Sequence, residues 1–92
     1  MKHASHKTLE SLDNVLRQLR EHRALVERTP GSFYFKSKAF LHFHEDPAGL
    51  FADVKLDGTR FERLCINTKP EQDRFVEAVE NALPRIKNVI TT

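Results

Sequence analysis

The sequence has few of the residues that cross-link a small protein or carry it into a membrane. Its 92 residues include one cysteine, Cys65, which excludes an internal disulfide. No run of about 18 apolar residues could span a bilayer, and the first residues lack the apolar stretch of a signal peptide. These absences predict a protein that works in the reducing cytoplasm and does not enter a membrane.

The sequence also lacks a large excess of one sign of charge and a glycine-rich loop. Fifteen Lys and Arg stand against thirteen Asp and Glu, and the formal net charge of +2 is far below the basic footprint of an obligate nucleic-acid binder. The three glycines are isolated, so none forms a phosphate-binding loop with its neighbours. No sequence neighbour marks an activating base for Cys65, and we predict no catalytic residue.

What is present is the composition of one folded domain. Apolar residues make up 39% of the chain and charged residues 30%, a balance typical of a globular protein. The length suits a single domain over residues 1–92. Six of the seven Phe lie between Phe33 and Phe61, so we expect the bulk of the core in the middle of the chain.

Helical periodicity predicts a long first helix. Residues 1–7 are polar and lack periodicity, which indicates a disordered leader. From Thr8, the predicted N-cap, apolar residues recur at helical spacing through residue 28, and the segment 29–31 stops the helix with Pro30 and Gly31. The apolar stripe consists of Leu9, Leu12, Leu16, Leu19 and Val26.

The remaining residues predict an antiparallel sheet followed by a second helix. Alternation and turn signals indicate three to four strands within residues 32–67, at 32–36, 39–45, 50–56 and 61–67. Thr68 and Glu71 form a capping box that opens a helix over residues 69–88, kinked or ended at Pro84. The predicted fold class is α+β, in two layers with both helices on one sheet face.

Pairing apolar residues with one another predicts which sheet face stays uncovered. Phe43 opposite Leu50 and Val54 opposite Leu64 place these four residues on the face beneath the helices. The same register sets Lys55 opposite Arg63, an unfavourable pair of like charges. The other face then carries Phe40, His42, His44, Phe51, Asp53, Lys55 and Cys65.

This other face holds the candidate metal ligands. His42 and His44 are two residues apart on one strand, so both point to the same side and could share a metal ion. Asp53 and Cys65 would be cross-strand neighbours beside them, and a set of imidazole, carboxylate and thiolate suits zinc. Solvation of a strand face that meets water also accounts for these residue types.

Two functions remain open. We favour a non-enzymatic module that binds a protein or small-molecule ligand through the aromatic and polar face, because large aromatic side chains are costly to leave in water. A homodimer through that face is the commonest way to cover them. The alternative is an enzyme that binds a metal ion or a small molecule through His42, His44 and Asp53. The binding residues of the favoured function are Phe40, His42, His44, Phe51 and Asp53.

Residues 31–40, GSFYFKSKAF, together with the turn at 45–46 and the pair Lys55-Leu56, resemble the central pattern of the MmcQ/YjbR family. The resemblance implies an α+β fold of the YjbR and CyaY type and a non-specific DNA-binding role. The frataxin branch of that fold would imply iron handling through an acidic first helix, but the first helix predicted here carries as many arginines as acids. Residues 41–44, LHFH, also resemble a small luciferase-like domain of unknown chemistry.

Overall fold

A computed structural model gives the fold. It describes the backbone of residues 2–90 and the side chains of residues 3–86. In chain order the elements are β1 (Lys2–His3), α1 (His6–Ser11), α2 (Asp13–Arg20), β2 (Leu25–Thr29), β3 (Ser32–Phe35), β4 (Lys38–Asp46), β5 (Gly49–Val54), β6 (Glu62–Cys65) and α3 (Lys69–Ile90).

The strands form one antiparallel sheet in the order β2-β3-β4-β5-β6. The short strand β1 pairs with the far end of β4, at residues 44–45, beyond the stretch 38–42 that pairs with β3. The α+β class is therefore confirmed. Within the described residues the sheet has more strands than the three to four predicted, because β1 and β2 come from segments that were expected to be a leader and part of a helix.

The single helix predicted over residues 8–28 is wrong. The helical segment is interrupted at Leu12, and α2 ends at Arg20. Leu25 is buried opposite Phe35 in the β2–β3 hairpin, and Val26, the last residue of the predicted apolar stripe, lies in the same strand with 54% of its surface exposed. Gly31, with φ of +79°, closes this hairpin and does not cap a helix.

The disordered leader predicted for residues 1–7 is also wrong where the structure describes it. Lys2 pairs with Glu45 and His3 with His44, and the amide of Ala4 donates to the carbonyl of Phe43 at 3.0 Å. The cap of α1 is Ser5, whose hydroxyl accepts from the amide of Thr8, and Thr8 itself lies inside the helix. The N-terminal segment is thus fixed along the edge of β4.

One apolar core lies between the helices and a single face of the sheet. Its members come from all three helices and from every strand between β2 and β5. Within the described residues, no helix combines the length and the apolar character needed to span a membrane. The most deeply buried members include Leu12, Val15 and Leu19 from the helical N-terminal region, Phe75 and Val79 from α3, and Phe33, Leu41 and Val54 from the sheet.

The capping box at the start of α3 is confirmed, but the helix does not end at Pro84. The Thr68 hydroxyl accepts from the amide of Glu71, and the Glu71 carboxylate accepts from the amide of Thr68. Pro84 lacks an amide hydrogen, which removes one helical hydrogen bond. The helix nevertheless continues to residue 90. Leu83 and Ile86, on either side of Pro84, are buried, and their packing compensates for the lost hydrogen bond.

The predicted strand register is off by two residues. Phe43 faces Ala52 where Leu50 was predicted, and Val54 faces Glu62 where Leu64 was predicted. Because side chains alternate with a period of two, this shift leaves most residues on the predicted face. It changes the cross-strand neighbours, however, so that Arg63 lies opposite Asp53 and not opposite Lys55.

Phe40 is a further correction, because it belongs to the core. Strand β3 pairs Phe33 with Leu41 and Tyr34 with Ala39, which leaves Phe40 as an extra residue in β4. Such a bulge breaks the alternation of side chains along the strand. Phe40 is 2% exposed and packs in the core cluster, with its ring 6.1 Å from that of Phe35.

A candidate metal centre on the open sheet face

The sheet face opposite the helices, here called the open face, carries the polar residues of the centre. Strands β4, β5 and β6 place His42, Asp53 and Arg63 in one cross-strand row. His44 follows His42 on the same side of β4, opposite Phe51. The alternation of β4 buries Phe43 beneath the helices and turns its two histidine neighbours outward, as the sequence predicted.

The third histidine comes from the N-terminal strand. His3 pairs with His44 across the β1–β4 ladder, and its ring centroid lies 4.9 Å from that of His44 and 5.6 Å from that of His42. No signal in the sequence pointed to His3, since a two-residue strand has no periodicity to detect. Only its pairing with β4 brings it to the centre.

The three imidazoles are spaced as potential ligands of one metal ion. One ring nitrogen from each of His3, His42 and His44 lies within 4.8 Å of the other two. The nitrogens of His42 (Nδ1) and His44 (Nε2) are 2.7 Å apart. Two nitrogens on one tetrahedral zinc ion are about 3.3 Å apart, given zinc–nitrogen distances of about 2.0–2.1 Å. Side-chain rotations that move Nδ1 of His42 and Nε2 of His44 about 0.6 Å further apart would give that spacing.

Asp53 borders this group on the side of His44. Its Oδ2 atom is 3.1 Å from Nε2 of His44, and its carboxylate accepts two hydrogen bonds from Arg63, at 2.8 and 2.9 Å. The Arg63 hydrogen bonds lower the pKa of Asp53, although burial opposes them. The carboxylate is therefore ionised at neutral pH, and it is held in place from two sides.

The proton between the two histidines has a preferred position. An ionised carboxylate beside Nε2 of His44 favours a hydrogen on that nitrogen, which leaves Nδ1 of His42 as the acceptor. Burial lowers the pKa of His42, and the positive charge of a protonated His44 would lower it further. A metal ion between the rings would replace the shared hydrogen, as metal binding to imidazole requires.

One buried nitrogen of the centre is left without a partner. Nδ1 of His44 has no hydrogen-bond partner among the described residues, although it is closed off from solvent. In a neutral ring that carries its hydrogen on Nε2, the Nδ1 atom has a lone pair and no hydrogen. Buried polar atoms are almost always hydrogen-bonded, so this unpaired nitrogen is unusual, and it belongs to one of the three clustered histidines.

The rim of the centre is aromatic and basic. The ring of Phe61 lies 4.8 Å from that of His42, and Phe61 is 42% exposed. Lys55 places its ammonium group 4.9 Å from the centre of the Phe61 ring. These contacts cover one side of the His42 ring with an aromatic side chain and place a positive charge at its margin.

The structure assembles some of the predicted site residues and separates others. His42, His44 and Asp53 come together, and Phe51 is half-buried on the same face. Phe40 is in the core, and Cys65 lies opposite Phe51, outside the three-histidine group. The prediction that Cys65 neighbours Asp53 fails because the register shift puts Arg63 there.

Comparison with known proteins found no match for the chain. No protein-family model matches the chain, no curated protein matches it, and no solved structure matches its fold. The resemblance to the MmcQ/YjbR family therefore stays a prediction.

Proposed function

We propose that this protein is a binding module whose open face holds one divalent transition-metal ion. The ligands are His3, His42 and His44. The observation that carries the proposal is the convergence of three imidazole nitrogens, from two strands, within 4.8 Å of one another. Two of these rings are largely withdrawn from solvent, which favours a fixed geometry over a loose surface cluster.

The donor set narrows the choice of ion. Imidazole nitrogen suits zinc, copper and nickel, whereas calcium and magnesium prefer oxygen. Three histidines satisfy three positions of a tetrahedral zinc ion, and the fourth remains for water or an incoming ligand. We therefore expect zinc to bind with an accessible position, with Asp53 held beside the ligand His44.

Binding is better supported than catalysis. A hydrolytic metal centre needs a group that accepts a proton from metal-bound water or from the substrate. Asp53 is the carboxylate beside the cluster, and both of its oxygens already accept hydrogen bonds from Arg63. Those bonds lower its pKa and so weaken it as a base. The metal-assisted enzyme stays the second candidate, favoured by the open fourth position.

Calorimetric titration of the metal-free protein with zinc chloride tests the proposal. We expect one zinc ion per chain for the wild type and a loss of more than tenfold in affinity for His42→Ala. His22→Ala is the matched control, because His22 lies against Glu80 on the helical side of the molecule. Cobalt substitution should give the intense visible absorption of a tetrahedral ion.

The comparison of the two variants gives the result a clear meaning. Equal affinities for the wild type and His42→Ala would show that zinc binds elsewhere on the surface, and the proposal would be abandoned. A loss of affinity in His22→Ala as large as in His42→Ala would have the same meaning. Both substituted side chains are partly exposed, so we expect both variants to fold. Circular dichroism of each variant checks this.

A further inference from the structure

A second surface, made of backbone groups and an apolar groove, lies along the edge strand β6. This strand is the last in the sheet order and pairs only with β5 among the described strands. The amide of Ile66 donates to the carbonyl of Leu50, just beyond the ladder, at 3.1 Å. Because backbone groups of a strand alternate in direction, those of Arg63 and Cys65 point away from β5. The sheet thus presents a short row of uncommitted donors and acceptors.

A groove runs beside this edge on the side covered by α3. Its volume is about 360 Å³, in the range of ligand-binding pockets. Leu64 of β6 and Leu56, two residues beyond β5, form one wall, and Phe75 and Ala78 of α3 form the other. Leu64 and Ala78 are both half-buried, so each offers apolar surface to a side chain that enters the groove.

We infer that the edge of β6 and this groove bind an extended peptide as an added strand. The backbone of the peptide would pair with the outward groups of Arg63 and Cys65. Alternate side chains of an added strand point to opposite sides, so every second one would lie over the groove. The inference is independent of the proposed metal centre, which occupies the other face of the sheet.

Charge at the rim defines the chemistry of the peptide. Glu71 and Arg74 are the charged residues that line the groove, and the Glu71 carboxylate already accepts hydrogen bonds from the amides of Asn67 and Thr68. Arg74 is exposed and lines the groove. A peptide with an apolar residue in the groove and an acidic residue two positions away, on the same side, would complement this rim.

The size of the edge favours a short peptide over a second copy of the chain. Strand β6 has 4 residues and so spans about 13 Å. A stable interface between two proteins buries about 1,200 Å² or more, which a contact confined to this edge and groove cannot reach. A short peptide needs only the backbone pairing and one filled pocket.

Nuclear magnetic resonance with a defined probe tests the inference. The probe is the acetylated and amidated peptide Thr-Val-Thr-Asp-Thr, and its control carries Lys in place of Asp. We expect the first peptide to slow hydrogen exchange at the amides of Arg63 and Cys65 and to shift the signals of Ala78. Protection confined to the three-histidine cluster or to the opposite edge, β2, would overturn the inference, as would no shift at millimolar peptide.

Two variants separate peptide binding from general loss of structure. Cys65→Pro removes one outward amide from an exposed edge position, where proline is tolerated, and should abolish binding with the sheet intact. Arg74→Glu should weaken binding of the acidic peptide roughly fivefold and strengthen binding of the Lys peptide. If the second variant leaves both affinities unchanged, the charge argument is wrong. A β6-mediated dimer in sedimentation would show that the occupant is a second copy, and would equally overturn it.

Discussion

Nδ1 of His42 lies 2.7 Å from Nε2 of His44, so the two imidazoles face each other directly although Phe43 separates them in the chain. The same Nε2 atom is 3.1 Å from the carboxylate of Asp53. Nε2 of His44 is therefore within hydrogen-bond distance of both an imidazole nitrogen and a carboxylate oxygen. This arrangement ties the protonation of the centre to its capacity for a metal ion.

His3→Ala should weaken zinc binding by more than tenfold, because a tetrahedral ion would lose one of three protein ligands. The matched control is His6→Ala, since His6 lies in the first turn of α1 and outside the cluster. Calorimetric titration of both variants makes the comparison. Equal affinity for His3→Ala and the wild type would reduce the centre to His42 and His44.

Phe40→Ala and Phe51→Ala should differ sharply in stability. Phe40 is buried at the bulge of β4, and its truncation should cost about 3–5 kcal/mol. Phe51 is half-buried on the open face, and its truncation should cost only about 1–2 kcal/mol. Urea unfolding measures both changes. Equal losses would mean that Phe51 also belongs to the core.

Phe51→Asp tests the predicted homodimer. The half-exposed ring lies opposite His44 on the open face, so a charge there should leave the monomer folded and weaken any self-association through this face. Circular dichroism reports the fold and sedimentation reports the assembly. A wild-type chain that stays monomeric up to millimolar concentration would rule out the dimer.

Glu27→Gln should reduce stability near neutral pH by about 1 kcal/mol, a modest loss because Arg20 is partly exposed to solvent. The Glu27 carboxylate accepts hydrogen bonds from Arg20 at 2.6 and 2.9 Å and from the amide of Gly31. The Arg20 hydrogen bonds are the main cause that lowers the pKa of Glu27 below its ordinary value of 4.5.

The sign of the pH dependence follows from that lowered pKa. The contribution of the ionised carboxylate is complete above pH 4.5, where the unfolded chain is also deprotonated, and it declines as the pH falls through the lower folded value. The stability gap between the wild type and Glu27→Gln should therefore narrow below pH 4.5 in urea titrations. A constant gap would show that the charge of Glu27 is unimportant.

The predicted DNA-binding role has a distinct signature. A net charge of +2 allows only weak, non-specific binding, and its affinity should fall steeply as salt is added. Fluorescence anisotropy with duplexes of two unrelated sequences measures both properties. Sequence-specific, sub-micromolar binding at physiological salt would contradict the expectation of weak, non-specific binding.

Short-range chemistry made much of the fold predictable. The capping box of Thr68 and Glu71, the turn between β4 and β5 and the outward side chains of His42 and His44 all depend on neighbours within a few residues. A residue pattern specifies such features because the interacting groups are close along the chain. The alternation of β4 likewise depends only on residues close along the chain.

The sequence alone determined the α+β class, the strands of the central sheet and the position of two histidines on one face. Only the tertiary structure decided that His3 joins them, that Phe40 turns inward and that Arg63 meets Asp53. Each of these outcomes depends on which strand lies beside which, and in what register. Cross-strand pairs differ little in energy from one register to the next. The packing of the whole core therefore selects the strand register, and a local residue pattern does not predict it.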